Sequence, residues 1–181
     1  MTTDTPEALR RQLDAVAAFE ESIRPGPVTA LLRRLGRTKA FGVVYRSVGP
    51  HVDPHVAKIK DGAILAKIYG FRALMLHSTG AKSGQPRTSP LLYIRDGDDV
   101  ALIGTNFGQP KHPGWTANLL AHPEAAVTIG PQTMKVTAEL CDDETWARLF
   151  PRFVDMYPGY QDYLGRREGL TPRMFLLHPH L

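Results

Sequence analysis

The 181-residue chain contains a single cysteine, Cys141, and no run of about 18 apolar residues. A lone cysteine excludes an intrachain disulfide and a cysteine-based zinc centre, and it suits a reducing cytoplasm. No recognisable base stands beside it, so it reads as an inert thiol. Without a long apolar run there is no candidate spanning helix. The opening stretch MTTDTPEALRRQLDAVAAFEE carries acids in amphipathic spacing rather than the apolar core of a signal peptide. The expectation is a protein that is neither secreted nor membrane-spanning. Internal repeats, low-complexity segments, and RNA-binding or helix-turn-helix signatures are also missing. The formal charge of +4 favours anionic partners, but the cations are scattered and nucleic acid is not expected.

What is present is ordinary in amount and uneven in distribution. A hydrophobic fraction of 43% suffices for one sizeable core. Leu9, Leu13, Val16, Ala17 and Phe19 approximate helical spacing from Pro6 to about Glu21. Pro25-Gly26-Pro27 ends that helix. A second, basic stretch from Val28 to Leu35, with Arg33, Arg34, Arg37 and Lys39, suits packing on the domain or contact with an anionic membrane surface. Short helices are expected at Pro54–Lys60 and Ile64–Tyr69. His51 and His55 have the spacing of a helical metal pair, yet Pro54 interrupts any helix between them and no third ligand is near, so no metal site is expected. From Arg72 the texture turns to strands: Arg72–His77, Thr88–Arg95, Val100–Gly104, Ala125–Ile129, Thr133–Leu140 and Met174–Leu177, with helices at Trp115–Ala121 and Glu144–Met156. Six strands with inserted helices predict a closed or split antiparallel barrel, with flat α+β as the alternative.

Three stretches carry more chemistry than a fold requires. The first, STGAKSGQPR at 78–87, packs Gly80, Gly84, Lys82, Ser83 and Arg87 into one turn. Its glycines and Pro86 build a tight connection. Its ammonium, guanidinium, hydroxyl and open N–H groups suit phosphate or carboxylate, although the glycine-to-lysine spacing is not that of a P-loop. A solvated hairpin turn fits the same residues. The second, Thr105 to Trp115, combines Asn106, Phe107, Gly108, Lys111 and two prolines before a helix whose N-terminus can meet an anion. There Trp115 reads equally as a core anchor. The third is the tyrosine series Tyr157, Tyr160 and Tyr163. The last two share a helical face, and Tyr157 precedes it because of Pro158-Gly159. Tyrosines offer a face to stack on a ring and a hydroxyl to donate, and they serve equally as a packing stripe.

In order and spacing, residues 70–178 resemble the deazaflavin-dependent nitroreductase family of actinobacteria. The resemblance rests on Thr79 to Arg87, Pro90-Leu91, the Asp96-Gly97-Asp98 turn, and Thr105 to Pro113 with Trp115, Asn118-Leu119 and Pro123. It implies a split β-barrel of the flavin-reductase and pyridoxamine-oxidase type, here with a helical N-terminal extension over residues 1–69 before a cofactor domain over 70–181. It implies coenzyme F-420, an 8-hydroxy-5-deazaflavin with a phosphate and a polyglutamate tail, ahead of FMN. By the family's pattern Lys82, Ser83, Gly84 and Arg87 hold phosphate and tail. Pro90 and Leu91 lie along the ring, while Lys111, Trp115 and the Asn106–Phe107–Gly108 backbone fix the deazaflavin and its side chain. Tyr160 and Tyr163, with Tyr157 in support, face the electron acceptor, a small molecule such as a quinone, a nitroaromatic or an activated alkene. Relatives also include proteins that bind deazaflavin or lipid without turnover. In some relatives a segment comparable to the N-terminal one touches membrane, so a cytoplasmic location with peripheral contact is implied. The chain departs from the pattern at His77, Ser78 and Thr116.

Overall fold

The computed structural model describes residues 5–24, 26, 70–167 and 169–180. The helices expected within 28–69, the basic segment ending at Lys39 and the His51/His55 pair lie outside the described residues. Six strands form the frame: β1 (Ala73–Thr79), β2 (Pro86–Asp96), β3 (Asp99–Ile103), β4 (Glu124–Ile129), β5 (Gln132–Leu140) and β6 (Met174–His180). They close as an antiparallel barrel in the order β1-β2-β3-β6-β5-β4, with β4 returning to β1. The sixth strand runs three residues beyond its expected end because Pro179 and His180 continue the register against Val136 and Lys135.

Alternation along the strands separates two apolar layers. Leu74, Leu76, Tyr93, Val100, Leu102, Val127, Val136 and Phe175 fill the barrel interior. Ile94, Ala101, Ile103 and Met174 point outward into a second cluster. Helices α3 (Asp143–Met156) and α4 (Gly159–Gly165) cover that outer layer with Leu149, Phe153 and the three tyrosines. Asp142 starts α3 by accepting the Thr145 N–H at 2.8 Å. Asp96 ties the helix to the β2–β3 turn through Arg148 and Arg152 at 2.8 and 2.9 Å. The two guanidiniums, Arg148 foremost, hold the Asp96 carboxyl below the usual carboxylate range.

Helix α1 (Pro6–Ser22) contributes to the barrel's own core. Thr5 caps it, and Leu13 and Val16 join the interior cluster. Phe19 lies over Gly130, where an added Cβ would come within 2.6 Å of the ring. The next residue, Glu20, accepts a hydrogen bond from the Tyr93 hydroxyl at 2.7 Å. Burial, reinforced by the Glu20 charge, pushes the Tyr93 pKa up. Among the described residues no helix is long and apolar enough to cross a membrane.

Candidate functional site

The β1–β2 turn is held by its own backbone. Gly80 N–H donates to the Gln85 carbonyl at 2.9 Å, and Gly84 N–H to the Gly80 carbonyl at 2.8 Å. Gly84 sits at φ +64° with nothing within 4 Å of an added Cβ, whereas a Cβ on Gly80 would meet Ser83 Oγ at 2.5 Å. Ser83 Oγ accepts the Gln85 N–H at 3.3 Å, so the hydroxyl braces the turn with its lone pair and keeps its O–H to give. Lys82 and Arg87 stand exposed beside it. From Arg87 a groove of about 390 Å³ crosses the outside of the barrel past His77, Lys135, His180 and one acid, Glu124. His77 reaches Thr88 Oγ1 at 3.2 Å and Thr128 Oγ1 at 2.9 Å, and burial lowers its pKa. Its ring is thus a neutral cross-strand tie between β2, β1 and β4.

The second stretch meets the first through one side chain. Asn118, on α2 (Gly114–Ala121), accepts the Ala81 N–H at 3.0 Å and donates to Ser78 Oγ at 3.2 Å. Its carboxamide locks α2, and with it the end of the 105–113 loop, against the turn. Pro113 at the α2 N-cap provides no side-chain acceptor, and with Thr116 N–H donating to the Pro113 carbonyl at 3.1 Å the Gly114 and Trp115 N–H groups are the ones turned to an anion. The helix stays close to β3 because Gly104 has no side chain: a Cβ there would stand 2.7 Å from Thr116 Cγ2.

The loop itself is strained. Asn106 (φ +48°) and Phe107 (φ +55°) are both left-handed and neither is glycine, and Gly108 follows at φ +77°. Such residues cost energy unless their surroundings hold them. Asn106 Nδ2 donates to the Lys111 carbonyl at 3.2 Å. Beneath the loop lies Arg167, completely buried. Its Nη1 donates to the carbonyls of Thr105 at 2.7 Å, Gln109 at 3.1 Å and Lys111 at 3.4 Å, while Nε donates to the Leu170 carbonyl at 2.9 Å. His112 Nδ1 faces Nη2 at 3.4 Å. Burial, then the nearby Arg173 and Arg167 charges, lower the His112 pKa, which keeps Nδ1 available as the acceptor. Sequence reasoning overlooked Arg167 because it stands in LGRREGL, a stretch whose charge density reads as solvated surface.

On the far side of the loop the three tyrosines form one cluster. Tyr157 and Tyr163 bring their hydroxyls to 3.3 Å of each other. Tyr157 contacts the Tyr160 ring edge-on at 5.6 Å between centroids, and Tyr160 meets Tyr163 in the same way at 6.2 Å. Phe107 rests edge-on against Tyr163 at 5.9 Å, which links the strained loop to the cluster. Gly159 makes room for Tyr157, since a Cβ there would fall 2.4 Å from its ring. The Pro158-Gly159 break therefore folds Tyr157 back onto α4 instead of removing it from the group. Burial raises the pKa of all three phenols. At neutral pH they are hydrogen-bond donors that hold their protons.

Two of the residues expected to meet the cofactor turn toward the barrel interior. Pro90 and Leu91 are neighbours on a strand and face opposite sides. Leu91 packs against the barrel interior, so only Pro90 is oriented toward the outer face. Trp115 is likewise in the interior, its ring tilted against Phe175 at 5.8 Å. What it offers a ligand is a helix-terminal backbone N–H, because its indole anchors the core. Lys111 is exposed, as are Lys82 and Arg87. Among the described residues no group of three or more His, Cys, Asp or Glu is placed to hold a metal ion. Burial raises the Cys141 thiol to about 11, so it is protonated and unreactive at neutral pH.

Comparison with known proteins gives a consistent set. A family model described as "F420H(2)-dependent quinone reductase" matches residues 52–173. An F420H(2)-dependent quinone reductase of Mycobacterium tuberculosis is 39% identical over 100 residues, which covers 52% of this chain and 67% of that protein. A second protein of the same organism, named for the same activity, is 36% identical over 111 residues, 59% of this chain and 93% of its own. Among solved structures, an F420-H2 dependent reductase (FDR-A) superposes with a TM-score of 0.54 and 30% identity over 59% of this chain and 94% of that one. A further structure, described as a domain-swapped dimer, gives a TM-score of 0.55 and 26% identity over 72% of this chain and 98% of its own.

Proposed function

The chain belongs to the F420H(2)-dependent quinone reductase family, and from that premise we propose that it passes a hydride from reduced coenzyme F-420 to a quinone, with nitroaromatics and activated alkenes as lesser acceptors. It is an F-420-dependent oxidoreductase of the barrel type. The observation that carries the finer reading is the convergence organised by Asn118. An exposed cationic turn and an N–H-rich helix start lie on one side of the 105–113 loop, and a buried phenol cluster lies on the other.

The donor set fits the cofactor's anions. Lys82, Arg87 and the Ser83 O–H meet phosphate and carboxylates with charge-assisted hydrogen bonds. The open space around Gly84 lets an anion come close to the turn, and that around Gly114 lets it approach the start of α2. The groove past His77, Lys135 and His180 gives a tail of several carboxylates room to continue. Lys111 and the first turn of α2 would take the oxygens nearer the ring. When bound, F-420 supplies two-electron hydride chemistry, and the protein supplies position and electrostatics. A quinone that gains a hydride also needs one proton. The raised pKa values of Tyr157 and Tyr163 make these phenols donors that polarise a carbonyl oxygen, with water restoring the proton that is finally consumed. The reaction is assigned to the cytoplasm, where a single reduced cysteine is at home.

Titration of the purified protein with oxidised F-420 and, separately, FMN, followed by tryptophan fluorescence, tests this reading. Trp115, at the first turn of α2, should report occupancy. Micromolar binding of F-420 with little response to FMN, followed by quinone-dependent oxidation of reduced F-420, is the expected result. FMN binding tighter than F-420, or no turnover with any quinone, would overturn it.

A further inference from the structure

We infer that Arg167 is a positioning residue for cofactor binding: from inside the protein, its buried guanidinium sets the direction of the amide groups that the 105–112 loop presents to the ligand. The inference rests on the F-420 reading above and goes beyond it, since it assigns a role to a residue that touches no ligand.

The argument starts with peptide geometry. In a trans peptide the carbonyl of one residue and the N–H of the next point in opposite directions. Arg167 draws the Thr105 and Lys111 carbonyls inward, so the Asn106 and His112 N–H groups are turned away from it. Neither of these amides has an acceptor among the described residues. The backbone passes from right-handed at Thr105 (φ −77°, ψ −21°) to left-handed at Asn106 (φ +48°). That sequence of conformations makes successive N–H groups converge into a concavity that binds anionic oxygens. A left-handed asparagine followed by a left-handed phenylalanine does not hold this shape by preference. The contacts that hold it are the carbonyl bonds to Arg167, together with the Asn106 to Lys111 bond.

The arrangement of donors suits a guanidinium. Arg167 gathers carbonyls six residues apart in the loop at Nη1, while Nε and Nη2 of the same planar group are held by the Leu170 carbonyl and His112 Nδ1. A lysine ammonium has donors on one atom only, so even where it meets the loop carbonyls it leaves the Leu170 carbonyl and His112 Nδ1 without the bonds that anchor the cation. With three backbone carbonyls of the loop spoken for, the Lys111 side chain is left pointing to solvent at the end of a fixed backbone.

The test is a double-variant cycle read by F-420 affinity. Arg167→Lys keeps a buried cation and several bonds, so the protein should fold. Its F-420 dissociation constant should rise about tenfold. In that background Lys111→Ala should cost clearly less than it does in the parent protein, because the loop that aims Lys111 has already lost its orientation. Lys82→Ala, on the turn, should cost as much in Arg167→Lys as in the parent. An Arg167→Lys affinity within twofold of the parent overturns the inference. So does a loss that is additive with Lys111→Ala, or an equal loss of coupling at Lys82, which would mark a general structural defect. Failure of the parent protein to bind F-420 at all would instead overturn the functional reading.

Discussion

The two arms of the site, the 79–87 turn and the 105–113 loop, solve one problem in opposite ways. On the proposed reading each presents a cation and polar groups to an anion. The turn reaches its shape with glycine, and its left-handed Gly84 has no neighbour within 4 Å of an added Cβ. The loop does so with Asn106 and Phe107 forced left-handed over a buried arginine. The turn is cheap to form and open to solvent. The loop is strained, and its shape is set by what lies underneath. Changes in the turn should therefore show mainly in binding, whereas changes in the loop should show in binding, stability and turnover together.

The largest expected effect tests the turn. Replacing Lys82 and Arg87 together by alanine removes two charge-assisted contacts, each worth about 1.5 kcal/mol, the lower end for hydrogen bonds to charged groups because both side chains are exposed. F-420 binding should weaken on the order of a hundredfold, with the melting temperature nearly unchanged. A deazaflavin lacking phosphate and tail should lose far less. Equal losses for the two ligands, measured by fluorescence titration, would remove the clamp.

Next comes a matched pair of glycine substitutions. Gly84→Ala and Gly108→Ala both put a side chain at positive φ, which costs roughly 1 to 2 kcal/mol by itself. At Gly84 that is all, because the space is open. At Gly108 the new Cβ also meets Arg166 Cβ at 3.1 Å and the Tyr163 backbone at 3.2 Å. Gly108→Ala should therefore be the more destabilising in urea titrations and should also reduce turnover by displacing Tyr163. Equal stability losses would mean that the loop is as loosely held as the turn.

This contrast also explains what could be read in advance. The barrel was legible because strand alternation and Asp-Gly turns are local signals, and the turn was legible because its glycines and cations are adjacent in sequence. The two chemical stretches could be named, but the residue that joins them, Asn118, acts across 37 and 40 positions. Arg167 acts across as many as 62. A buried arginine bonded to backbone carbonyls has no pattern of its own in sequence, since carbonyls belong to every residue. Pro90 and Leu91, expected together along the ring, stand on opposite faces of β2, an alternation that any strand imposes. The interior position of Trp115 was a reading that the residues themselves had left open.

A smaller effect is expected at the tyrosines. Tyr163→Phe removes the hydroxyl that faces Tyr157 at 3.3 Å and leaves the ring against Phe107. Quinone turnover should fall about tenfold, corresponding to about 1.4 kcal/mol of lost transition-state stabilisation, with F-420 affinity almost unchanged. Tyr160→Phe should behave alike but more weakly, since no hydroxyl contact ties it to the pair. Unchanged turnover in both variants would reduce the cluster to packing.

The smallest effect concerns acid, and it again separates the arms. His77, behind the turn, and His112, beside Arg167, both have pKa values lowered from 6.5, in each case chiefly by burial. A histidine with a lowered folded pKa binds fewer protons than its unfolded form as the pH drops below 6.5, so stability falls with falling pH in that window and is fully present above it. Asp96 acts in a different window: its lowered pKa makes its contribution disappear only as the pH falls below the ordinary carboxylate value of 3.8. Protonation of His112 additionally removes the acceptor for Arg167 Nη2 and places two cations 3.4 Å apart. The melting temperature of the parent should therefore decline from pH 6.5 downward, and His77→Gln and His112→Gln should each flatten the decline. Only His112→Gln should also flatten the acid loss of F-420 affinity, because only that ring touches the residue that orients the loop. If His77→Gln flattens both curves and His112→Gln neither, the acid-sensitive arm is the turn, and the loop's dependence on its buried arginine is wrong.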